Sequence, residues 1–176
     1  MCPVPEDHTF APWNVLRETL AGSFAAHARG LLTSDFALIN RRDREVGRLR
    51  VHGPEGAELE AGNLLASIEH TGTQRYAMLA GGVRILSAET TGTPDAMRVR
   101  RAERVYETTV ALLRNTAEAR LSTEERSARI TGGLTNRRYE VTYDVDDEGS
   151  LPVAIFLLYR LVALRRGAYR VGARGG

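Results

Sequence analysis

The sequence predicts a mainly β protein in which a meander of short antiparallel strands is followed by one buried helix. Residues 23–144 alternate apolar and polar side chains in short stretches, and turn residues close each stretch. A period of two indicates strands with one buried face, and turn signals at intervals of roughly 8–12 residues favour a barrel or a sandwich. Residues 151–164 are almost uniformly apolar. A barrel with this last segment inside it buries the apolar faces of the strands and the whole surface of the helix.

The predicted organisation is a single domain with short terminal extensions. A chain of 176 residues is the size of one domain and can bury a core without a disulfide or a metal. Residues 1–22 are predicted to be a proline-rich lead that includes a short helix. Residues 23–170 are predicted to be one β-barrel domain with the buried helix at about 151–166, and residues 171–176 a flexible tail.

The clearest predicted strands set arginine against apolar residues. Arg48 and Arg50 alternate with Leu49 and Val51, so charged side chains line one face and apolar side chains the other. Ten or more strands of this kind fit into residues 23–144. The same alternation occurs around Phe36, Met78, Ile85, Val99, Val110 and Val141, with turn residues at 53–56, 72, 81–82, 92–95, 114–115, 132–133 and 146–150.

The C-terminal segment is apolar on every face apart from Arg160. A helix that is hydrophobic all round must be buried in protein or in lipid. At about 1.5 Å per residue, residues 151–164 span about 21 Å, which is shorter than the roughly 30 Å hydrocarbon core of a bilayer. We therefore predict a core helix and not a membrane span.

The composition excludes several kinds of chemistry. All 24 basic residues are arginine, so Schiff-base catalysis and the Walker-type phosphate loop, which need a lysine, are ruled out. A formal charge of +2 is too small for a dedicated nucleic-acid binder. The single cysteine, Cys2, excludes an internal disulfide, and the four histidines have no metal-ligand spacing. Neither a G-x-S-x-G elbow nor a secretory signal is present, so the sequence predicts a cytoplasmic protein without a catalytic signature.

Two stretches and the order of elements carry a family resemblance. Residues 132–141, which precede an acidic turn and the apolar helix, are similar to the ending of LURP-one-related chains, and residues 36–47 resemble their early hairpin. The chain thus resembles the tubby C-terminal-like superfamily, which includes the LURP-one-related proteins and the phospholipid scramblases. The resemblance implies a closed antiparallel β-barrel of about twelve short strands around a hydrophobic C-terminal helix. It also implies a non-catalytic protein, because the members are mostly non-enzymatic. The better understood branches of the superfamily work at membranes.

An arginine-rich face is the candidate binding site for an acidic phospholipid or another phosphorylated ligand. On one strand, Arg98 and Arg100 project to the same side, so two guanidinium groups can meet one phosphate. Arg48 and Arg50 are arranged in the same way, and Arg101 extends the first pair. The competing interpretation is an ordinary solvated face whose charges are neutralised by nearby glutamates.

The acidic turn before the helix is a weak calcium candidate. Asp144, Asp146 and Glu148 fall at the first, third and fifth positions of a calcium loop. The twelfth position, which should be a bidentate glutamate, is Ile155. The alternative is a solvated turn whose negative charge favours the N-terminus of the following helix.

Three functional hypotheses follow from the sequence. The first is a non-catalytic cytoplasmic binding module that meets a phosphorylated ligand or the surface of an acidic membrane through the arginine-rich face. The second is a barrel that carries a small apolar ligand in its interior. The third is a hydrolase whose site is built from dispersed residues.

Overall fold

The computed structural model describes residues 10–30, 34–121 and 125–172, with side chains as far as Gly167. It confirms the predicted closed antiparallel barrel. The twelve strands are β1 (Ser23–Ala28), β2 (Asp35–Ile39), β3 (Glu45–Val51), β4 (Gly56–Ala61), β5 (Leu64–Gly72), β6 (Arg75–Ala80), β7 (Val83–Thr91), β8 (Thr93–Arg101), β9 (Arg104–Ala111), β10 (Thr116–Leu121), β11 (Arg126–Gly132) and β12 (Arg138–Tyr143).

Two α-helices and two single turns of 3₁₀-helix complete the described chain. Helix α1 (Ala11–Leu20) precedes β1, and helix α2 (Ser150–Gly172) follows β12. The 3₁₀ turns are η1 (Gly53–Glu55), between β3 and β4, and η2 (Leu112–Arg114), between β9 and β10. Helix α2 extends past the predicted end at 166, and most of the predicted tail, residues 173–176, lies outside the described residues, as does the start of the predicted lead.

Each strand is hydrogen-bonded to its neighbours in sequence, and β1 pairs with β12 to close the ring. The closing pair places Phe24 opposite Val141. Side chains alternate as the sequence predicts, since Tyr139, Val141 and Tyr143 of β12 are buried and the residues between them are exposed. Among the strands that the structure describes, closure leaves no free edge for another chain to pair with.

Helix α2 occupies the barrel interior. Residues 151–163 are all buried, and the helix contacts strands on several sides of the ring, among them β3, β7 and β11. The one charged residue of this stretch, Arg160, donates from Nη1 to the Tyr76 hydroxyl at 3.0 Å and from Nη2 to the Pro94 carbonyl at 3.1 Å. Its guanidinium carbon lies 4.8 Å from the centroid of the Tyr76 ring. No helix in the described part of the chain is long and apolar enough to cross a membrane.

The up-and-down order gives the barrel two distinct ends. Strand β1 starts, and α2 enters, at the end that we call the α1 end, where Trp13, Leu16 and Leu20 of helix α1 are buried. The turns after the odd-numbered strands, including η1 and η2, lie at the opposite end, which we call the far end. Arg165 marks the exit of α2 there, because its Nη1 donates to the carbonyl of Leu112.

We expect the stability of the fold to decrease as the pH rises above about 10. Burial raises the pKa of Tyr159 to about 12, and nearby Tyr76 adds to the shift. The unfolded chain releases this proton at a lower pH than the folded chain does, so the stabilisation is complete below pH 10 or so and is lost by about pH 12. The contribution of Tyr159 alone to this decrease in the free energy of unfolding is about 2–3 kcal/mol.

Urea unfolding of wild type and Tyr159→Phe between about pH 9 and pH 12 measures this contribution. The variant should show a smaller decrease in the free energy of unfolding over that range. Equal decreases in the two proteins would contradict the assignment to Tyr159.

Candidate functional site

A groove of about 510 Å³ lies on the outer wall of the barrel, across β5–β8. The register places Arg75 of β6 opposite Glu89 of β7, and Glu89 opposite Arg98 of β8. In the next row, Ala77 lies opposite Ser87, and Ser87 opposite Arg100. Ala77 and Ser87 have small side chains, so a hollow forms between the longer arginine and glutamate side chains around them. The groove is lined by Thr71, Arg75, Tyr76, Ala77, Arg84, Ser87, Ala88, Glu89, Arg98 and Arg100.

Positive charge dominates the groove, since four arginines and one carboxylate line it. Arg98 Nε donates to Glu107 Oε1 at 2.8 Å, on the side of β8 away from the groove. This hydrogen bond and the charge of Glu107 raise the pKa of Arg98, so its guanidinium stays ionised. Arg100 Nη2 lies 3.7 Å from Glu89 Oε1.

Arg75 and Arg84 are exposed and form no ion pair with any side chain that the structure describes. Neither was singled out from the sequence, because each is an isolated arginine on its strand. Only the strand register brings them beside Arg98 and Arg100. The groove therefore has donors available for an anionic ligand.

The other predicted arginine pair lies in a different setting. Arg48 and Arg50 border a second groove of about 320 Å³ on β3–β5, together with Glu58 and Glu60. The register places Arg48 opposite Glu60 and Arg50 opposite Glu58. Arg48 Nε also lies 3.5 Å from Asp35 Oδ1. Cross-strand carboxylates thus balance this pair, as expected for a solvated face.

Arg101 does not join the groove. It lies at the α1 end, half-buried, with its guanidinium carbon 4.3 Å from the centroid of the Phe10 ring. Burial lowers the pKa of Arg101. Arg101 thus packs against Phe10 and beside the acidic turn, away from the groove. Of the five predicted arginines, the structure brings Arg98 and Arg100 together with the groove.

The acidic turn adopts a hydrogen-bonded loop. Asp144 Oδ1 accepts from the Asp146 amide at 3.0 Å, and the Asp144 carbonyl accepts from the Ser150 hydroxyl. Asp146 and Glu148 are exposed. No three histidine, cysteine, aspartate or glutamate side chains among residues 10–30, 34–121 and 125–167 are grouped so that they could hold a metal ion. Asp144, Asp146 and Glu148 are therefore not brought together as a calcium site.

The buried member of this turn is Asp147, which the sequence did not single out. Its carboxylate is 3% exposed and accepts from the Tyr106 hydroxyl at 2.8 and 3.0 Å, from Arg104 Nη1 at 2.5 Å and from the Gly149 amide at 2.9 Å. Burial, together with the hydrogen bond from the Tyr106 hydroxyl to Asp147, raises the pKa of Tyr106 above its usual range. No local pattern could have revealed the contact, because 41 residues separate the two side chains.

The described residues provide neither an empty interior for the carrier nor a serine hydrogen-bonded to a histidine for the hydrolase. They do place His52 Nε2 3.2 Å from Glu58 Oε2, but both side chains of this pair are more than half exposed. For the carrier, helix α2 occupies the interior that an apolar ligand needs. For the hydrolase, Ser23 and His27 line a small groove on β1, but they stand four positions apart on the strand, which is about 13 Å and far beyond hydrogen-bond reach. Ser23 Oγ accepts instead from Arg41 Nε at 2.6 Å.

Comparison with known proteins is informative about the fold. No family model and no curated protein matches this sequence. The X-ray structure of the Arabidopsis thaliana protein AT5G01750 is similar to it, with a TM-score of 0.56 over 81% of this chain and 93% of that chain. The two chains share a fold. Their sequences are 10% identical, so the similarity shows the fold alone. A closed twelve-strand barrel with a buried C-terminal helix fits the tubby-like architecture that the sequence resembles.

Proposed function

We propose that this protein is a non-catalytic binding module for phosphorylated ligands and that the groove on β5–β8 is its binding site. The observation that carries the proposal is four arginines around one carboxylate, with Arg75 and Arg84 free of ion pairs to the described side chains. Guanidinium groups bind phosphate through paired, charge-assisted hydrogen bonds. Ser87, at the floor of the groove, adds a hydroxyl donor.

We also propose that the protein belongs to the tubby C-terminal-like superfamily, near its LURP-one-related branch. Support comes from the sequence resemblance together with the fold shared with the Arabidopsis protein. Such a module would work in the cytoplasm, where its phosphate could be presented by a soluble ligand or by a lipid headgroup. The groove chemistry is the same for both, so the experiment has to distinguish the two sources.

We expect the double variant Arg98→Gln, Arg100→Gln to bind inositol hexakisphosphate roughly tenfold or more weakly than wild type, since two charge-assisted contacts are lost. Isothermal titration calorimetry measures this affinity. Binding should also weaken as salt is raised from low to above physiological concentration, because the contact is electrostatic. Vesicles that contain phosphatidylinositol phosphates form the second arm. Wild type that binds the vesicles but not the soluble probe would identify a lipid headgroup as the source of the phosphate, and wild type that binds the soluble probe alone would identify a soluble ligand.

The matched control is Arg48→Gln, Arg50→Gln, which removes the same charges from the face that Glu58 and Glu60 balance. This variant should bind both probes as wild type does. An equal loss in the two double variants would show that net charge, and not the groove, governs binding. Absence of binding to both probes by wild type would overturn the proposal.

A further inference from the structure

Two leucines at the far end of the barrel are fully exposed. Leu113, in η2, is 103% exposed, and Leu134, in the turn between β11 and β12, is 100% exposed. Leu65, the next most exposed leucine among the residues whose side chains the structure describes, still buries a third of its surface. Single exposed apolar residues are common, but two on neighbouring turns form a pair that requires an explanation.

The two turns are fastened to each other. Asn115, which follows η2 and is 6% exposed, donates from Nδ2 to the Gly133 carbonyl and to Asn136 Oδ1, both at 2.9 Å. Its own carbonyl accepts from the Gly132 amide at 2.7 Å. A Cβ on Gly132 would lie 2.0 Å from Asn115 Nδ2, so glycine is required for this close approach. The clamp holds both leucines outward on one edge of the barrel.

Positive charge surrounds this edge. Residues 112–117, 130–137 and 160–172 contain several arginines and neither aspartate nor glutamate. Arg114 and Arg137 are exposed on the two turns, and Arg165 contacts Leu112 where α2 leaves the barrel. Three carboxylates of the described far end belong to η1 and to the starts of β8 and β2, namely Glu55, Asp95 and Asp35, and Asp35 lies 3.5 Å from Arg48 Nε. On the barrel wall, in contrast, many arginines are paired with glutamates across strands.

We propose that this edge, which we call the leucine rim (Leu113, Arg114, Leu134 and Arg137), docks onto an anionic lipid bilayer. The two leucines would enter the boundary between headgroups and acyl chains, and the arginines would contact lipid phosphates. A bilayer fits both features of this edge, because its headgroup–acyl boundary accepts apolar tips and its phosphates pair with the arginines around them. The inference does not depend on the groove, which lies on a different face.

Sedimentation with vesicles tests the leucine rim. We expect wild type to bind phosphatidylcholine vesicles that contain phosphatidylserine more tightly than vesicles of phosphatidylcholine alone. Leu113→Ser, Leu134→Ser should lower the partition coefficient on the anionic vesicles roughly tenfold or more, because two buried leucine side chains are lost from the acyl boundary. Leu65→Ser, on the wall at β5, is the matched control and should leave it unchanged. Surface changes of this kind keep the fold, which circular dichroism verifies.

Insertion has a direct readout in a dye that reports polarity. In a Cys2→Ser background, the dye is attached at Leu134→Cys or at Leu65→Cys. We expect a blue shift on anionic vesicles at position 134 and none at position 65. Failure of wild type to bind anionic vesicles, equal loss in Leu65→Ser, or no shift at position 134 would each overturn the inference. Binding of soluble inositol hexakisphosphate by the leucine variants tests the groove separately and should match wild type.

Discussion

Replacing Phe156 by alanine is expected to lower the free energy of unfolding by about 3–5 kcal/mol. Phe156 lies in the middle of helix α2 at 0% exposure, with its ring centroid 6.0 Å from that of Tyr76 and 6.1 Å from that of Tyr159. Truncation removes this burial and leaves a cavity. The surroundings can collapse into it only slightly, because twelve hydrogen-bonded strands closed into a ring fix the barrel diameter.

Urea unfolding followed by circular dichroism measures the change. Val15→Ala, at a position 65% exposed on helix α1, is the control and should shift the free energy of unfolding by less than about 0.5 kcal/mol. Phe156→Leu, which keeps most of the volume, should cost about 1.5 kcal/mol or less. A decrease in the free energy of unfolding that is as small for Phe156→Ala as for Val15→Ala would contradict the burial of helix α2 in the barrel interior.

Replacing Asp147 by alanine is the second large effect, a loss of about 2–4 kcal/mol. The change leaves the buried Tyr106 hydroxyl and the Gly149 amide without their acceptor, and it removes the ion pair with Arg104. The Asp147 carboxylate also holds the turn before helix α2, because it accepts from the Gly149 amide directly ahead of the first helical residue. The cost therefore combines unsatisfied buried donors with a loosened start of the central helix.

Thermal or urea unfolding at neutral pH checks this value, with Asp146→Ala as the control, because Asp146 is its exposed neighbour. We expect the control to be close to wild type. A double-mutant cycle with Tyr106→Phe separates the hydroxyl contact from the rest, and a coupling energy near zero would contradict a direct interaction. The double variant should be less destabilised than the sum of the two single variants.

The wall of the barrel is the part of the fold that the sequence predicts best. Alternation in β3, β8 and β12 follows directly from a wall with one face in the core and one in solvent. Closure is a further step: the pairing of Phe24 with Val141 joins strands that are far apart in the chain, and no local pattern specifies it. The family resemblance supplied that expectation, and the strand pairing confirms it.

The candidate site was predicted in part. Arg98 and Arg100 are recognisable because they stand two residues apart on one strand. Their partners in the groove, Arg75 and Arg84, come from β6 and β7, and the register alone makes them neighbours. The same register sets Arg48 and Arg50 against glutamates, which separates two pairs that look alike in the sequence.

The sequence by itself determined which residues face the core and that the last helix must be buried. Both follow from local periodicity, because the burial of apolar surface is additive along the chain. The tertiary structure decided the balance of charge at each site. Electrostatic pairing and hydrogen bonding depend on distances of a few ångströms between side chains from different strands, such as Tyr106 and Asp147, and folding alone sets those distances.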